Sequence, residues 1–330
     1  MIFKICLIGC GAHSSGVHGP SLKKYAAMNP QAILAACCDM DAVKAAEYSQ
    51  KFGFMKNYTG FEKMLDDECP SVVSVVTPVK ATFDVVSKVM KRGYPVILEK
   101  PPGIDAREAR ELLAISRQYN IPNRVAFNRR FMPIVRKLKQ LMYENLRPGS
   151  IQNIEYYVGR FNRKDSDFST TAIHGIDTVR FIMDCNYSHV KFFYQEFPEL
   201  GQGVANIHMY CTFENGAAAN IHFCPVSGAM IERVRIDALD NTFFLEMPMH
   251  NSYDSSGRLT HIQRNCVITD LTGKEISDGE EAYEAGGFYY ENASFFDMLI
   301  SGQNPQEIAT AVQSVEVAEC IRKRLPEYKA

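Results

Sequence analysis

Hydrophobic and polar positions along the chain fall into two textures. Up to about residue 128, short apolar runs alternate with stretches whose apolar residues recur every three or four positions. The runs at 2–8, 32–38, 72–76, 96–98 and 124–127 predict strands. The stretches at 21–28, 41–52, 81–92 and 105–118 predict helices. In the last of these, Ala106, Ala109, Leu112 and Leu113 share one helical face, and Asp105 stands at the N-cap position. Strands apolar throughout, alternating with helices, predict a parallel sheet covered on both faces.

Beyond Pro133 the pattern changes. A helix is expected at 134–144, then a turn at Arg147-Pro148-Gly149-Ser150. Strand-like runs with period-two alternation follow at 151–161, 190–197, 205–213, 217–224, 232–238, 242–246 and 261–269. One helix, at 170–183, interrupts them, and helices at 289–300 and 305–324 close the chain. Strands in succession without helices between them predict an antiparallel sheet. The expected architecture is α/β followed by α+β. Residues 1–128 form the parallel-sheet domain. Residues 129–330 carry an open-faced, mostly antiparallel sheet with helices, and the closing helices are free to pack back on the first domain.

Composition narrows the function classes. The chain has 330 residues, 46% hydrophobic and 22% charged, so it can bury ordinary cores and is not a disordered polymer. Its 36 basic and 38 acidic side chains leave a net charge of −2, which argues against a dedicated nucleic-acid binder. Ten cysteines invite a disulfide reading. However, Cys6, Cys37 and Cys38 lie inside apolar runs, where a free cysteine packs as a small hydrophobe, and no Cys-x-x-Cys pair occurs. Leu7-Ile8-Gly9-Cys10 fits a lipoprotein cleavage box, but only Ile5, Cys6, Leu7 and Ile8 separate Lys4 from Gly9, too few for a signal's apolar segment. No run reaches the roughly 18 apolar residues of a membrane helix. The expectation is a cytoplasmic protein with no membrane partner.

The first candidate chemistry follows the first strand. Gly9-Cys10-Gly11-Ala12-His13-Ser14 reads G-x-G-x-x-S, a dinucleotide-binding fingerprint with serine for the third glycine. The first glycine allows the tight turn, and the second lets backbone approach a pyrophosphate held on helix-terminal N–H groups. Gly9, Gly11, Ala12 and Ser14 are therefore expected around the cofactor. Asp39 ends the second strand, where a carboxylate bonds the adenine ribose and repels a 2′-phosphate. That favours NAD over NADP. A helix cap is the competing role for Asp39, and Asp41 is the better cap by position.

A wider resemblance emerges when further motifs are read in order. Thr77-Pro78 follows the third strand, and Glu99-Lys100-Pro101 follows the fourth within Gly93-Tyr94-Pro95-Val96-Ile97-Leu98-Glu99-Lys100-Pro101. Asn128-Arg129-Arg130-Phe131-x-Pro133 comes next, and Phe296 and Ser301-Gly302 stand near the end. This ordered set resembles the Gfo/Idh/MocA oxidoreductases over nearly the whole chain. The resemblance implies an N-terminal Rossmann domain and a C-terminal sheet domain that serves in oligomer contacts, as a homodimer or homotetramer. The substrate cleft would lie between the domains. It also implies a catalytic role for Lys100, Glu99 near the nicotinamide ribose, and Thr77 and Pro78 lining the cofactor.

Removing hydride from an alcohol carbon leaves a proton for a base and a developing alkoxide for a positive group. His174 is the candidate base, matching the family's histidine, and Lys100 would hold the substrate hydroxyl. Thr170 stands four residues before His174, where the family often has aspartate, and Asp177 three residues after it is a candidate to orient the imidazole. Asn128 and Arg129 end the fifth strand and are expected in the pocket. Arg163, with Arg160 and Lys164, either binds a substrate anion or is a solvated strand-end charge. His208 and His222 read as structural, and no spacing suggests a metal site. The leading expectation is NAD-dependent oxidation or reduction of a sugar, polyol or sugar acid. Two others stand beside it: a glycoside-cleaving enzyme with transient oxidation, and an inactive nucleotide-sensing regulator.

Overall fold

A computed structural model describes residues 2–249, 252, 253, 256–277, 279 and 281–330. In chain order the first elements are β1 (Phe3–Ile8), α1 (Gly19–Met28), β2 (Ala32–Cys38), α2 (Ala42–Phe52), β3 (Lys56–Tyr58) and α3 (Phe61–Glu68). Next come β4 (Val72–Val75), α4 (Val79–Lys91), β5 (Val96–Glu99), α5 (Ala106–Gln118), β6 (Asn123–Ala126) and α6 (Pro133–Asn145). The later strands are β7 (Ile151–Gly159), β8 (Tyr187–Glu196), β9 (Ala205–Phe213), β10 (Ala218–Cys224), β11 (Ile231–Ala238), β12 (Asn241–Glu246), β13 (Arg258–Gln263) and β14 (Cys266–Thr272). Helix α7 (Ser169–Met183) lies between β7 and β8. The chain closes with α8 (Gly273–Ile276), α9 (Ala282–Ala285), α10 (Phe288–Ile300), α11 (Ile308–Arg322) and β15 (Glu327–Lys329). Two units result: residues 1–128 with 287–312, and residues 129–286 with 313–330.

The first unit holds a six-stranded parallel sheet in the order β3-β2-β1-β4-β5-β6. This is the doubly wound order of dinucleotide-binding folds, whose strand order reverses between β1 and β4. Strands β1, β2, β4 and β5 are buried nearly end to end, as their apolar sequences require, while the edge strand β3 is largely exposed. Asp41 caps α2 by accepting from the Val43 and Lys44 N–H groups, and Asp105 caps α5 through Glu108 N–H. Helix α10 returns to this unit. Phe296 packs edge-on against Tyr25 with ring centroids 5.1 Å apart, and the Tyr25 hydroxyl donates to Asp297 at 2.7 Å.

The second unit holds nine strands in the order β14-β13-β12-β11-β7-β10-β9-β8-β15. Every pairing is antiparallel except β7 with β10. Helix α7 lies close on one face because Gly175 has no side chain: a Cβ there would meet the Phe223 ring at 2.8 Å and Tyr156 at 3.1 Å. The other face exposes Phe193, Tyr210 and Phe244.

The sequence reading needs four structural corrections. Residues 261–269, read as one strand, belong to the hairpin β13–β14. Its two turn residues, Arg264 and Asn265, both have positive φ, the requirement of a tight two-residue hairpin turn. Strand β3 and helix α3 are absent from the sequence reading, as is the short edge strand β15. The predicted strand at 151–161 stops at Gly159. Finally, the first helix begins earlier than residue 21, through a π-turn over Ser14–His18 that runs into α1.

Candidate active site

The site in the first unit is built at the carboxyl ends of β1, β2, β4 and β5, where open parallel sheets bind ligands. Gly9 leaves β1 with φ +102°, and a Cβ there would lie 2.1 Å from the Val76 carbonyl oxygen. Only glycine fits this crossing of two strand ends. Gly11 differs: nothing lies within 4 Å of where its Cβ would be. The chain there has room for a ligand to approach the backbone, which is the fit a pyrophosphate needs.

Asp39 anchors this loop. Its carboxylate accepts from Cys10 N–H at 2.9 Å and from Asp41 N–H at 3.0 Å. The helix cap belongs to Asp41, so Asp39 is left to the loop and to whatever binds there. An ionised carboxylate offers about four lone-pair sites, so two remain for ribose hydroxyls. Ser14 faces the other way. It is fully buried and bonded to the Tyr48 hydroxyl at 2.8 Å, tying the loop to α2 and placing its side chain away from the ligand side. Cys10 is not a reactive thiolate: its interaction with Cys37, then burial, push the thiol up. Thr77 bonds Thr82 at 3.2 Å in the turn after β4, and Pro78 stands immediately before α4.

At the end of β5, Glu99 is buried and Lys100 is partly exposed. Glu99 Oε1 meets His18 Nε2 at 2.7 Å and His13 Nε2 at 3.2 Å, while Oε2 accepts from Lys100 N–H at 3.2 Å. Burial by itself would push the Glu99 carboxyl up. The hydrogen bonds from His13 and His18 outweigh it and hold the carboxyl below the usual carboxylate range. The sequence reading missed both histidines as a pair. The available signal was their spacing of five, which becomes one face only in a π-turn, with its i→i+5 repeat.

In the second unit, His174 sits midway along α7 and Thr170 lies in its first turn. Asp177, the candidate to orient His174, is held by partners of its own. It is fully buried and accepts a bidentate pair from Arg130 Nε at 2.7 Å and Nη2 at 2.5 Å, and a bond from Ser314 Oγ at 3.0 Å. Arg129 is likewise redirected from the pocket expectation. Its Nε and Nη2 donate to Glu232 at 2.8 and 2.5 Å. Arg160, read as a strand-end charge, is buried and donates to the same Glu232 carboxylate, as does the Tyr156 hydroxyl at 2.7 Å. Arg163 is exposed and bonds Asp165 at 2.8 Å and Thr171 at 3.3 Å. Asn128, at the end of the first unit's main segment, is buried.

Comparison with known proteins bears on the first segment of the chain. A model of the oxidoreductase family GFO_IDH_MocA, NAD-binding Rossmann fold, matches residues 3–127. Over this first segment the chain is similar to the Gfo/Idh/MocA oxidoreductases. The rhizopine catabolism protein MocA of Rhizobium meliloti is 29% identical over 196 residues, covering 54% of this chain and 57% of MocA. Two further curated relatives, one of them the trans-1,2-dihydrobenzene-1,2-diol dehydrogenase of Xenopus tropicalis, are matched over 38% and 36% of their lengths. Among solved structures, an oxidoreductase domain protein from Kribbella flavida aligns with a TM-score of 0.83 at 16% identity, covering 100% and 99% of the two chains. UDP-N-acetylglucosamine 3-dehydrogenase GnnA of Acidithiobacillus ferrooxidans aligns at 0.78 and 20% identity, covering 98% and 97%. These solved structures share the fold of the chain along nearly its whole length. No described helix is long and apolar enough to cross a membrane.

Proposed function

We propose that the chain is an NAD-dependent oxidoreductase that moves hydride between nicotinamide and a hydroxyl or carbonyl carbon of a sugar, polyol or sugar acid. The observation that carries the reading is the loop at Gly9–Gly11, open at Gly11 and buckled to the Asp39 carboxylate. Gly11 and Ala12 would present backbone to the pyrophosphate, and Asp39 would bond the adenine ribose. The Asp39 charge disfavours a 2′-phosphate, hence NAD over NADP. When bound, the nicotinamide supplies the hydride acceptor or donor.

This chain's residues do the rest. The Lys100 ammonium would bind the substrate oxygen and stabilise the alkoxide as charge develops. His174 would take the proton from that oxygen, or return it in the reduction direction. Thr170 would bond the substrate without taking a proton. Arg163, an exposed cation, would meet a substrate carboxylate or phosphate. The sugar class is supported by the printed name of the GnnA neighbour, a UDP-N-acetylglucosamine 3-dehydrogenase. Pairing of copies through the sheet face bearing Phe193, Tyr210 and Phe244 is part of the same proposal.

The test is a panel of sugars, polyols and sugar acids with NAD and NADP, followed by nicotinamide absorbance. A member of the panel should be turned over with NAD, and Lys100→Ala should lower the rate by about 10²–10⁴-fold. Full activity in Lys100→Ala would overturn the catalytic assignment. Release of an aglycone without net NADH would replace the dehydrogenase reading by the glycoside-cleaving one.

A further inference from the structure

The feature of the first unit that the hydride chemistry leaves unused is the pair of imidazoles on Glu99. His13, His18 and Glu99 bring one ligand atom each within 4.8 Å of one another. They come from three places in the chain: the glycine loop, the end of the π-turn and the end of β5. The π-turn is what unites the histidines. Residues five apart diverge on an α-helix, whereas the i→i+5 repeat brings them to one side. Their ring centroids lie 5.5 Å apart. π-Turns are rare and concentrate at functional sites.

We infer that His13, His18 and Glu99 form a site for a divalent first-row transition metal, with Zn²⁺ as the fitting ion. Two imidazoles and a carboxylate are the donors this class of ion prefers. Zn²⁺ bonds of about 2.0–2.1 Å hold tetrahedral ligand atoms about 3.3 Å apart. Glu99 Oε1 already stands 2.7 Å from His18 Nε2 and 3.2 Å from His13 Nε2. A shift of roughly half an ångström in His18 opens that spacing to the tetrahedral value.

The surroundings suit an exchangeable ion. Phe288 lies edge-on to both rings, at 5.8 Å from His13 and 5.7 Å from His18, and closes one side. His18 and Glu99 are buried, while the His13 side chain keeps 53% of its surface exposed. That side admits the ion and leaves a fourth position for water or an anionic ligand, as three-ligand zinc sites do. The support behind the ligands is incomplete. His18 Nδ1 is buried with no hydrogen-bond partner among the described residues. Sites whose imidazoles lack such an acceptor bind about 10–100-fold more weakly than fully supported ones. The expected affinity is therefore below that of a fully supported zinc site.

The site shares Glu99 with the residues expected near the nicotinamide ribose, so the test uses the chain without dinucleotide and does not use turnover. The full chain, stripped with a chelator, is titrated with Co²⁺ by visible absorption and with Zn²⁺ against a colorimetric chelator. One equivalent should bind, with the visible bands of tetrahedral Co²⁺. His13→Ala removes a half-exposed ligand, so it should keep the apo melting temperature and weaken binding at least about 10-fold. Glu99→Gln should weaken it similarly. His208 and His222 face each other across two strands with Nδ1 atoms 2.7 Å apart, which makes them the internal control. Their double alanine variant should bind as the wild type does. Absence of stoichiometric binding at micromolar Zn²⁺, unchanged binding in His13→Ala, or loss confined to the His208/His222 variant would overturn the assignment.

Discussion

Two carboxylates, one in each unit, sit among nitrogen donors in opposite ways. Glu232 is sealed: Arg129, Arg160 and Tyr156 surround it, all buried, and both of its oxygens are taken. Glu99 is also buried, but one of its two imidazole partners is half exposed, and the other has an unsatisfied nitrogen. In both, burial would raise the carboxyl and its partners overcome it, the charges of Arg129 and Arg160 for Glu232 and the imidazole bonds for Glu99. A fully satisfied buried cluster holds a fold in one arrangement. A partly satisfied cluster beside a glycine loop keeps bonding capacity for a ligand.

The contrast breaks most visibly at Glu232. Glu232→Ala leaves two buried guanidinium groups uncompensated and should cost about 3–5 kcal/mol in urea unfolding. A loss under 1 kcal/mol would mean that the cluster is not structural. Next is Gly9→Ala. It combines a positive φ with a Cβ 2.1 Å from backbone, so it should cost at least about 1–3 kcal/mol and abolish NADH binding. A folded Gly9→Ala protein with normal NADH affinity would remove the loop from the account.

Acid separates the two clusters further. The Glu232 carboxyl is depressed in the folded state, so its contribution is complete above the unfolded value of about 4.3. It is lost as pH falls through the folded value. Wild type should therefore lose stability steeply below about pH 4, and Glu232→Gln should lose less over the same window. Parallel acid profiles would contradict this. The smallest effect belongs to His13→Ala, which should change stability by no more than about 0.5 kcal/mol while altering what the loop binds.

Much of the first unit was legible because its signals are local. The glycine loop, Asp39, Glu99 and Lys100 each follow an apolar strand, and a strand followed by a helix puts them at one sheet edge. The missed elements lacked such signals. Strand β3 is only three residues, Lys56–Tyr58, and none is fully buried, so no apolar run marks it. The β13–β14 turn uses Arg264 and Asn265 without glycine. Arg129 and Glu232 lie 103 residues apart in sequence, and Asp177 and Ser314 lie 137 apart. Nothing in residue type announces such partners, so Arg129 and Asp177 read as ligand-facing when tertiary pairing had already claimed them. The His13–His18 pair was hidden for a different reason. Helical reasoning at 3.6 residues per turn separates residues that a π-turn unites.

The central claim is that the glycine loop and Asp39 bind a dinucleotide without a 2′-phosphate. Titration with NADH and with NADPH, followed by nicotinamide fluorescence, tests it directly. The account predicts saturable NADH binding, at least about 10-fold tighter than NADPH (about 1.4 kcal/mol), with the preference narrowed in Asp39→Asn. Equal or tighter NADPH binding, or saturation by neither, would contradict it.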